Sequence, residues 1–357
     1  MMRGIGLLLA FVMVVSGYDD LRQKALDKGL KPIPKDYETL KSEVDDKYNP
    51  LRKEKIILGK KLFFDKNLSR DRTIACATCH DLKKGGVDGK PTAIGYKQRP
   101  NPSHLNSPTV LNTAYSKHLF WDGRAKSLRE QAKGPSQATF EMASTPELIE
   151  QRVKENPEYV NAFEDIDGED EITFDNITKA IAAYEKTLVT RSRYDDFLEG
   201  NEKVLTQKEQ YGLNLFIDMG CKACHFGPAV GGQKIQKFPL RDYNSIIDLT
   251  TTFDDKTHKR HFSQMSFNFK KYHPYPFENI GDFLGKDQTR YFRVPILRNV
   301  SKTAPYFHNG VVKTLPEAIK IMAKYQLGID LTKKQLDGLE AFLKSLDGEI
   351  VDYGITK

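Results

Sequence analysis

The chain has 357 residues, of which 39% are hydrophobic and 29% charged. This length predicts two or three domains, and the composition excludes a multi-span membrane protein and a disordered chain. Lys and Arg outnumber Asp and Glu by 55 to 48, and the net charge of +7 is spread thinly, so nucleic-acid binding is not indicated. Four cysteines are too few for a disulfide scaffold.

The N-terminal segment 1–17 has the pattern of an export signal. Arg3 precedes an apolar run without charge, residues 4–15, which is shorter than the roughly 20 residues that span a membrane. The sequence turns polar from Tyr18 onward. We therefore predict a signal peptide over 1–17 and a periplasmic mature protein. A retained N-terminal anchor is the alternative, because the end of the segment lacks the usual alanines.

All four cysteines fall in two Cys-x-x-Cys-His motifs, a pattern typical of covalent haem c attachment. In such motifs the two thiols bond to the haem vinyl groups and the histidine becomes an axial iron ligand. The two sets are Cys76, Cys79 and His80, and Cys221, Cys224 and His225. A redox dithiol needs one such motif beside a βαβ pattern, and a zinc site leaves the repeated histidine unexplained. The motifs predict a cytochrome with two covalent haem c groups.

The chain also contains an internal repeat. Pro108 and Pro295 begin similar segments 187 residues apart, and the same offset relates Trp121-Asp122-Gly123 to His308-Asn309-Gly310. The two haem motifs are only 145 residues apart, so the second copy carries an insertion of 42 residues. We place this insertion within residues 231–293 and expect loops or a short hairpin there.

Each copy ends in an amphipathic stretch, residues 177–188 and 336–346, with apolar side chains spaced by three and four. Alternation typical of strands is scarce. The sequence therefore predicts a mainly α fold made of two tandem cytochrome c-like domains, each with one covalent haem. The predicted domains are residues 18–190 and 191–357.

With these features the sequence resembles the bacterial di-haem cytochrome c peroxidases over nearly the whole mature chain. The segments that carry the resemblance are 106–112, 120–124, 130–135, Glu141-Met142 and 303–310. The resemblance implies reduction of hydrogen peroxide to water, with electrons from a small c-type cytochrome or a cupredoxin. It assigns the peroxidatic haem to the N-terminal domain and the electron-transfer haem to the C-terminal domain. The family is commonly dimeric, which implies a homodimer.

The resemblance also assigns roles to single residues. Met322 matches the methionine ligand of the electron-transfer haem, with Met265 as the competitor. Glu141 matches the distal acid–base residue, Gln131 its hydrogen-bonding neighbour, and Trp121 the residue between the haems. Each has a plainer alternative, because Met322 and Trp121 can be core residues and Glu141 a surface carboxylate.

Calcium and the resting state of the peroxidatic iron complete these expectations. The resemblance implies a calcium ion held by the side chain of Asn106, the backbone carbonyl groups of Thr303 and Pro305, and waters. Backbone carbonyl ligands leave little trace in a sequence. Many members of the family cap the peroxidatic iron with a loop histidine. Here Gln98 stands at that position, and His104 is the nearby candidate ligand. Prolines flank the approach to His104, and we favour an open iron site.

Two other functions stay open on the sequence alone. A non-enzymatic di-haem electron carrier needs two closed irons, which the pair Glu141 and Gln131 argues against. A related di-haem oxidase of an organic or protein substrate carries a tyrosine in place of the methionine ligand, and Met322 argues against that.

Overall fold

The computed structural model describes residues 18–166, 171–240, 247–267 and 275–356. The structure is mainly helical, with 44% helix and 11% strand, as the sequence predicts. The predicted export signal, residues 1–17, lies outside the described residues. Within the described ranges, no helix combines the length and the apolar character needed to cross a membrane.

Along the described part of the chain, helices predominate up to residue 218, and four of the six strands lie between residues 235 and 293. The helices are α1 (Tyr18–Asp27), α2 (Tyr37–Val44), α3 (Lys53–Phe64), α4 (Cys76–Cys79), α5 (Leu128–Gln137), α6 (Pro146–Lys154), α7 (Pro157–Glu164), α8 (Phe174–Thr187), α9 (Arg193–Leu198), α10 (Gln207–Asp218), α11 (Leu315–Met322) and α12 (Lys333–Ser345). The strands are β1 (Thr190–Arg191), β2 (Ile235–Lys237), β3 (Ile247–Asp254), β4 (Lys259–Phe267), β5 (Tyr291–Arg293) and β6 (Glu349–Ile350). They pair antiparallel in three two-stranded sheets, β1 with β6, β2 with β5 and β3 with β4.

Several helices begin at a polar residue whose side chain accepts a hydrogen bond from the first turn. Thr173 caps α8 in this way, and Thr332 forms a capping box with Gln335 at the start of α12. Further N-caps of this kind are Ser127, Thr145, Asn156, Thr206 and Thr314. Each cap satisfies a backbone N–H group that has no partner within the helix, at about 1 kcal/mol per cap. The local sequence therefore sets where these helices begin.

Two helix pairs, α3 with α8 and α10 with α12, cross in the same way. A Cβ atom on Gly59 would lie 1.9 Å from the carbonyl oxygen of Ala180, and a Cβ atom on Gly212 would lie 1.9 Å from that of Gly338. Only glycine permits so close an approach of the two backbones. Each half of the molecule is therefore built around a helix pair that crosses at a glycine.

Asn112 and Asn299, which the repeat places 187 residues apart, have the same conformation at the junction of the two halves. Their φ angles are 62° and 60°, in the left-handed region that asparagine tolerates better than most residues. Both side-chain amides donate to Oγ1 of Thr190, at 3.0 Å and 2.8 Å. Thr190 lies in β1, so equivalent asparagines of the two copies meet on one strand.

The two halves have separate apolar cores, and terminal segments cross between them. One core surrounds α3 and α8, and the other surrounds α10 and α12. Ala25, near the N-terminus, is buried in the second core, whereas Ile350 and Tyr353 near the C-terminus pack against the first. This exchange ties the halves together. The domain limits 18–190 and 191–357 stay a prediction.

The predicted insertion carries most of the strand structure. Its β3–β4 hairpin has a register shift between Thr250 and Thr251, and β2 pairs with β5 where the insertion rejoins the repeat. Residues 241–246 and 268–274 lie outside the described residues. The hairpin that the sequence allowed in this segment is present.

Candidate functional site

The first Cys-x-x-Cys-His motif borders a cavity in the N-terminal half, which we call the N-terminal cavity. Cys76, Cys79 and His80 line it, the cysteines from α4. One face of α5 lines it as well, through side chains at helical spacing. These are Leu128, Gln131, Ala132, Pro135 and Ser136. The motif and one face of α5 thus border a single space.

The second motif borders a corresponding space in the other half, the C-terminal cavity. Cys221, Cys224 and His225 line it, and α11 contributes one helix face. The side chains on that face are Leu315, Ala318, Ile319 and Met322. A single π-helical turn, Ala323–Leu327, follows Met322 directly. Such turns are rare and occur frequently at functional sites.

The two motif histidines have matching environments. Nδ1 of His80 lies 3.2 Å from the carbonyl oxygen of Gly86, and Nδ1 of His225 lies 3.2 Å from that of Pro295. Burial lowers the pKa of His80, and it lowers the pKa of His225 to about 4. Both rings are therefore neutral at pH 7, and a hydrogen bond from Nδ1 leaves Nε2 as the free metal-binding atom.

The cysteines of the motifs are not activated thiols. Burial raises the pKa of all four, that of Cys221 to about 12 and that of Cys79 to about 12. A reactive redox dithiol needs a depressed thiol pKa and a positive environment. The structure thus argues against the redox-dithiol alternative and fits thiols whose partner is a covalently attached group.

Glu141 faces the N-terminal cavity instead of bulk solvent. It shares that cavity with His80 and with Gln131 of α5. Burial raises the pKa of the Glu141 carboxyl group, and the positive charge of Arg124 partly opposes that shift. The cavity thus holds an amide and a carboxyl group whose raised pKa suits proton transfer.

The loop that carries Glu141 is held by close backbone contacts. The N–H of Tyr96 donates to the carbonyl oxygen of Glu141 at 2.8 Å. A Cβ atom on Gly95 would lie 2.0 Å from the carbonyl oxygen of Phe140, so only glycine fits there. These contacts fix the backbone from which the Glu141 side chain enters the cavity.

The two candidate methionines occupy different environments. Met322 borders the C-terminal cavity together with His225. Met265 lies on β4, is 53% exposed and does not border either cavity as the structure describes them. The structure therefore brings Met322, and not Met265, to the second motif. Apolar side chains such as Phe216 and Leu343 line the same space.

The two cavities share a wall formed by Trp121, Asn106 and Arg293. Nε1 of Trp121 donates to the carbonyl oxygen of Asn106, and the N–H of Arg293 donates to that of Trp121, both at 2.8 Å. Arg293 is only 3% exposed, and its Nε has no hydrogen-bond partner among the described residues. Burial lowers its pKa to about 10. A buried cation of this kind is suited to an anionic ligand in either cavity.

The two residues considered as a loop ligand do not reach the N-terminal cavity. Gln98 is exposed, in a turn closed by a hydrogen bond from the N–H of Gly95 to the carbonyl oxygen of Arg99. His104 is half-buried, and its neighbours Ser103 and Leu105 border the cavity whereas His104 does not, within the part of the chain that is described.

The three residues assigned to calcium by resemblance lie around one space. Asn106, Thr303 and Pro305 all border the C-terminal cavity. Nδ2 of Asn106 donates to the carbonyl oxygen of Lys90 at 2.7 Å, which leaves the amide oxygen as an acceptor. Amide and carbonyl oxygens are ligands that calcium prefers. The calcium site itself stays a prediction.

Sequence reasoning missed two buried charged residues of the cavities, Glu185 and Arg293. Glu185 follows Ile177 and Ile181 at intervals of eight and four, so the helical period alone puts it on the apolar face of α8. That signal was present in the sequence. Arg293 lies in the insertion, where no helical period predicts which side chains point inward.

The chain is similar to known proteins over most of its length. The family described as di-haem cytochrome c peroxidase matches residues 53–203. The chain is 42% identical over 299 residues to the cytochrome c551 peroxidase of Nitrosomonas europaea, covering 83% of this chain and 80% of that protein. It is 39% identical over 346 residues to the cytochrome c551 peroxidase of Pseudomonas aeruginosa, covering 96% of this chain and 91% of that protein. A solved MauG-like protein associated with microbial copper homeostasis is similar in fold, with a TM-score of 0.66 and 25% identity over 98% of this chain and 99% of that one.

Proposed function

This chain belongs to the di-haem cytochrome c peroxidases, and from that premise we propose how its two cavities divide the reduction of hydrogen peroxide. One covalent haem c is assigned to each motif, with peroxide reduction in the N-terminal cavity and electron storage in the C-terminal cavity. The observation that carries this assignment is an asymmetry. Among the described residues, the N-terminal cavity pairs its motif histidine with Glu141, and the C-terminal cavity pairs its own with Met322.

Both cavities have features that a haem c requires. In each, two cysteines and a neutral histidine with a free Nε2 border one space. Arg293, buried without a partner for its Nε, is suited to hold the propionate groups of either haem. When bound, the haem iron supplies a coordination site for peroxide and the electrons that cleave the O–O bond.

Glu141 supplies the proton transfer that bond cleavage requires. Its carboxylate accepts a proton from the peroxide oxygen that stays behind and returns it to the oxygen that leaves as water. Gln131 donates a hydrogen bond that holds the peroxide within reach of Glu141. Burial favours this role, because a raised pKa brings the acid and base forms of Glu141 closer in free energy near neutral pH.

Met322 is assigned to electron storage and Trp121 to electron transfer. A thioether ligand raises the reduction potential of a haem iron, so Met322 makes the C-terminal site the better electron store. Trp121 belongs to the wall between the cavities and packs edge-on against His308, with 6.4 Å between ring centroids. Because this wall borders both cavities, we assign Trp121 to electron transfer across it.

The remaining assignments concern partners and setting. The electron donor is a small c-type cytochrome or a cupredoxin, and the names of the two cytochrome c551 peroxidases support the first of these. The mature enzyme works in the periplasm as a homodimer. A calcium ion held by Asn106, Thr303 and Pro305 stabilises the edge of the C-terminal cavity.

Substitution of Glu141 tests the proposed chemistry. Glu141→Gln keeps the shape of the side chain but cannot shuttle a proton, so peroxide turnover with a reduced donor should fall by roughly 10²–10⁴-fold. Oxidation of the donor by the C-terminal haem should survive. Glu147→Gln, on the exposed start of α6, is the matched control and should keep full turnover. Wild-type turnover in Glu141→Gln would show that Glu141 is a bystander.

A further inference from the structure

Glu185 is a buried carboxyl group that takes no part in the proposed reaction. It lies on α8, is 4% exposed and borders the N-terminal cavity together with Cys76. Its Oε2 has no hydrogen-bond partner among the described residues. A carboxyl group buried without a partner is strongly disfavoured in its charged form.

The internal repeat shows that the position does not need a carboxyl group for packing. Ala183-Tyr184-Glu185 on α8 corresponds to Ala341-Phe342-Leu343 on α12. Leu343 borders the C-terminal cavity just as Glu185 borders the N-terminal one. At equivalent positions, an apolar side chain thus faces one cavity and an ionisable side chain the other.

Among the described residues, no charged group shifts the pKa of Glu185. Burial is the sole cause that raises its pKa, to about 8. The ionisable groups that border the same cavity are Cys76, Cys79, His80, Arg124, Glu141 and Arg293. Cys76 is the one whose pKa Glu185 perturbs, and haem attachment removes that titration.

The charged groups on neighbouring elements are engaged elsewhere. The ion pairs are Lys61 with Glu158, Arg129 and Lys133 with Asp175, and Lys154 with Glu150. Hydrogen bonds to backbone groups join Lys60 to Thr356, Arg152 to Asn67, Lys186 to Asn49, Glu130 to Lys126 and Glu150 to Phe174. Hydrogen bonds between side chains join Lys55 to Asn49 and Tyr115 to Glu43. Lys53, Glu54 and Glu147 are exposed. The charge of Glu185 is therefore free to respond to a change of charge inside the cavity.

We propose that Glu185 is a redox-linked proton acceptor of the N-terminal haem. When the iron gains one electron from the donor by way of the C-terminal haem, the Glu185 carboxylate takes up one proton from solvent. When the iron loses that electron, the proton is released. The physical reason is that an added electron removes one positive charge from a poorly solvated space, where a carboxylate then becomes less favourable.

This proposal rests on the proposed function, because it needs a haem in the N-terminal cavity. It adds a difference between the two haems. The reduction potential of the N-terminal haem depends on pH through Glu185, whereas Leu343 gives the C-terminal haem no such dependence. Uptake of the proton with the electron keeps the net charge of the buried cavity constant.

The test is a potentiometric titration of the haem-loaded enzyme at a series of pH values on either side of about 8. The midpoint potential of the N-terminal haem should fall by up to about 59 mV for each tenfold drop in proton concentration. In Glu185→Gln this dependence should be lost. Glu185→Leu, which copies Leu343, should lose it as well and serves if the glutamine variant fails to load haem. Glu141→Gln, which changes the other buried carboxyl group of the cavity, should retain it.

An infrared difference spectrum between the reduced and oxidised enzyme gives an independent reading. It should show the C=O stretch of a carboxylic acid that appears on reduction and is missing in Glu185→Gln. Three results would overturn the proposal. The first is a wild-type potential that does not vary with pH. The others are a dependence of potential on pH that is unchanged in Glu185→Gln, or one that is lost in Glu141→Gln instead. The haem content of each chain, measured first by mass, separates the two failures: fewer than two haems contradicts the proposed function, whereas a loaded, peroxide-active enzyme with a flat potential contradicts only the role of Glu185.

Discussion

The two cavities are built from corresponding pieces of chain and carry different side chains. In both, a Cys-x-x-Cys-His motif shares a space with one helix face, and the motif histidine is turned by a hydrogen bond from Nδ1 to a backbone carbonyl. The N-terminal cavity adds Gln131, Glu141 and Glu185, whereas the C-terminal cavity has Met322 and Leu343. On the proposed function, these few differences on one scaffold separate a site for proton chemistry from a site for electron storage.

On the proposed function, burial has opposite uses in the two halves. In the N-terminal cavity, burial raises the pKa of Glu141, and it raises the pKa of Glu185 to about 8, which on the proposed function suits both groups to proton exchange. In the C-terminal cavity, apolar side chains border the motif and Met322, which on the proposed function suits a haem that stores an electron. Trp121 and Arg293 belong to the wall that the two cavities share.

Exchange of the candidate thioether ligand should have the largest effect on the difference between the two haems. Met322→His should keep the C-terminal iron six-coordinate but lower its potential by on the order of 0.2 V, because imidazole is the stronger donor and axial ligation spans about 0.8 V in haem proteins. That shift corresponds to an electron affinity roughly a thousandfold lower. Potentiometry and the sulfur-to-iron band measure the change. Met265→His, on the exposed β4, is the control, and a shift in that variant alone would move the ligand to Met265.

The pH dependence of peroxide reduction should reveal the proton transfer that we assign to Glu141. Burial raises the pKa of Glu141, and only its carboxylate form accepts the peroxide proton. As the pH falls through that raised pKa, kcat/KM should fall by up to about tenfold per pH unit. This decline should begin at a higher pH than the pKa of an ordinary glutamate would give. Glu141→Gln should lose this limb of the profile. A limb that persists unchanged in the variant would assign the titration to another group.

The smallest expected effect concerns the loop before the N-terminal cavity. Neither Gln98 nor His104 borders that cavity, and Pro100 and Pro102 stiffen the chain between them. Fully oxidised enzyme should therefore react at once with stoichiometric peroxide, with a rapid change of the Soret band, and His104→Gly should react equally fast. An oxidised wild type that stays inert until one electron is added, with reactivity restored in His104→Gly, would mean that His104 closes the iron.

Much of this organisation could be predicted from the sequence, because it depends on local signals. The motifs, the helical periods of 177–188 and 336–346, and the repeat need no knowledge of long-range contacts. The family resemblance supplied Glu141 and Met322, which loop position and helical spacing alone could not have separated from a surface carboxylate and a core methionine. Arg293 could not be predicted, since its burial depends on how the insertion folds back against Trp121.

The division of labour between the cavities is tested most directly by peroxide addition to the half-reduced enzyme, followed by EPR and optical spectroscopy. One electron should reduce the C-terminal haem and abolish its sulfur-to-iron band, because Met322 gives that site the higher potential. The ferric signal that remains should belong to the N-terminal haem and should change when peroxide is added. A remaining ferric signal that carries methionine ligation, or one that peroxide leaves unaltered, would contradict the account.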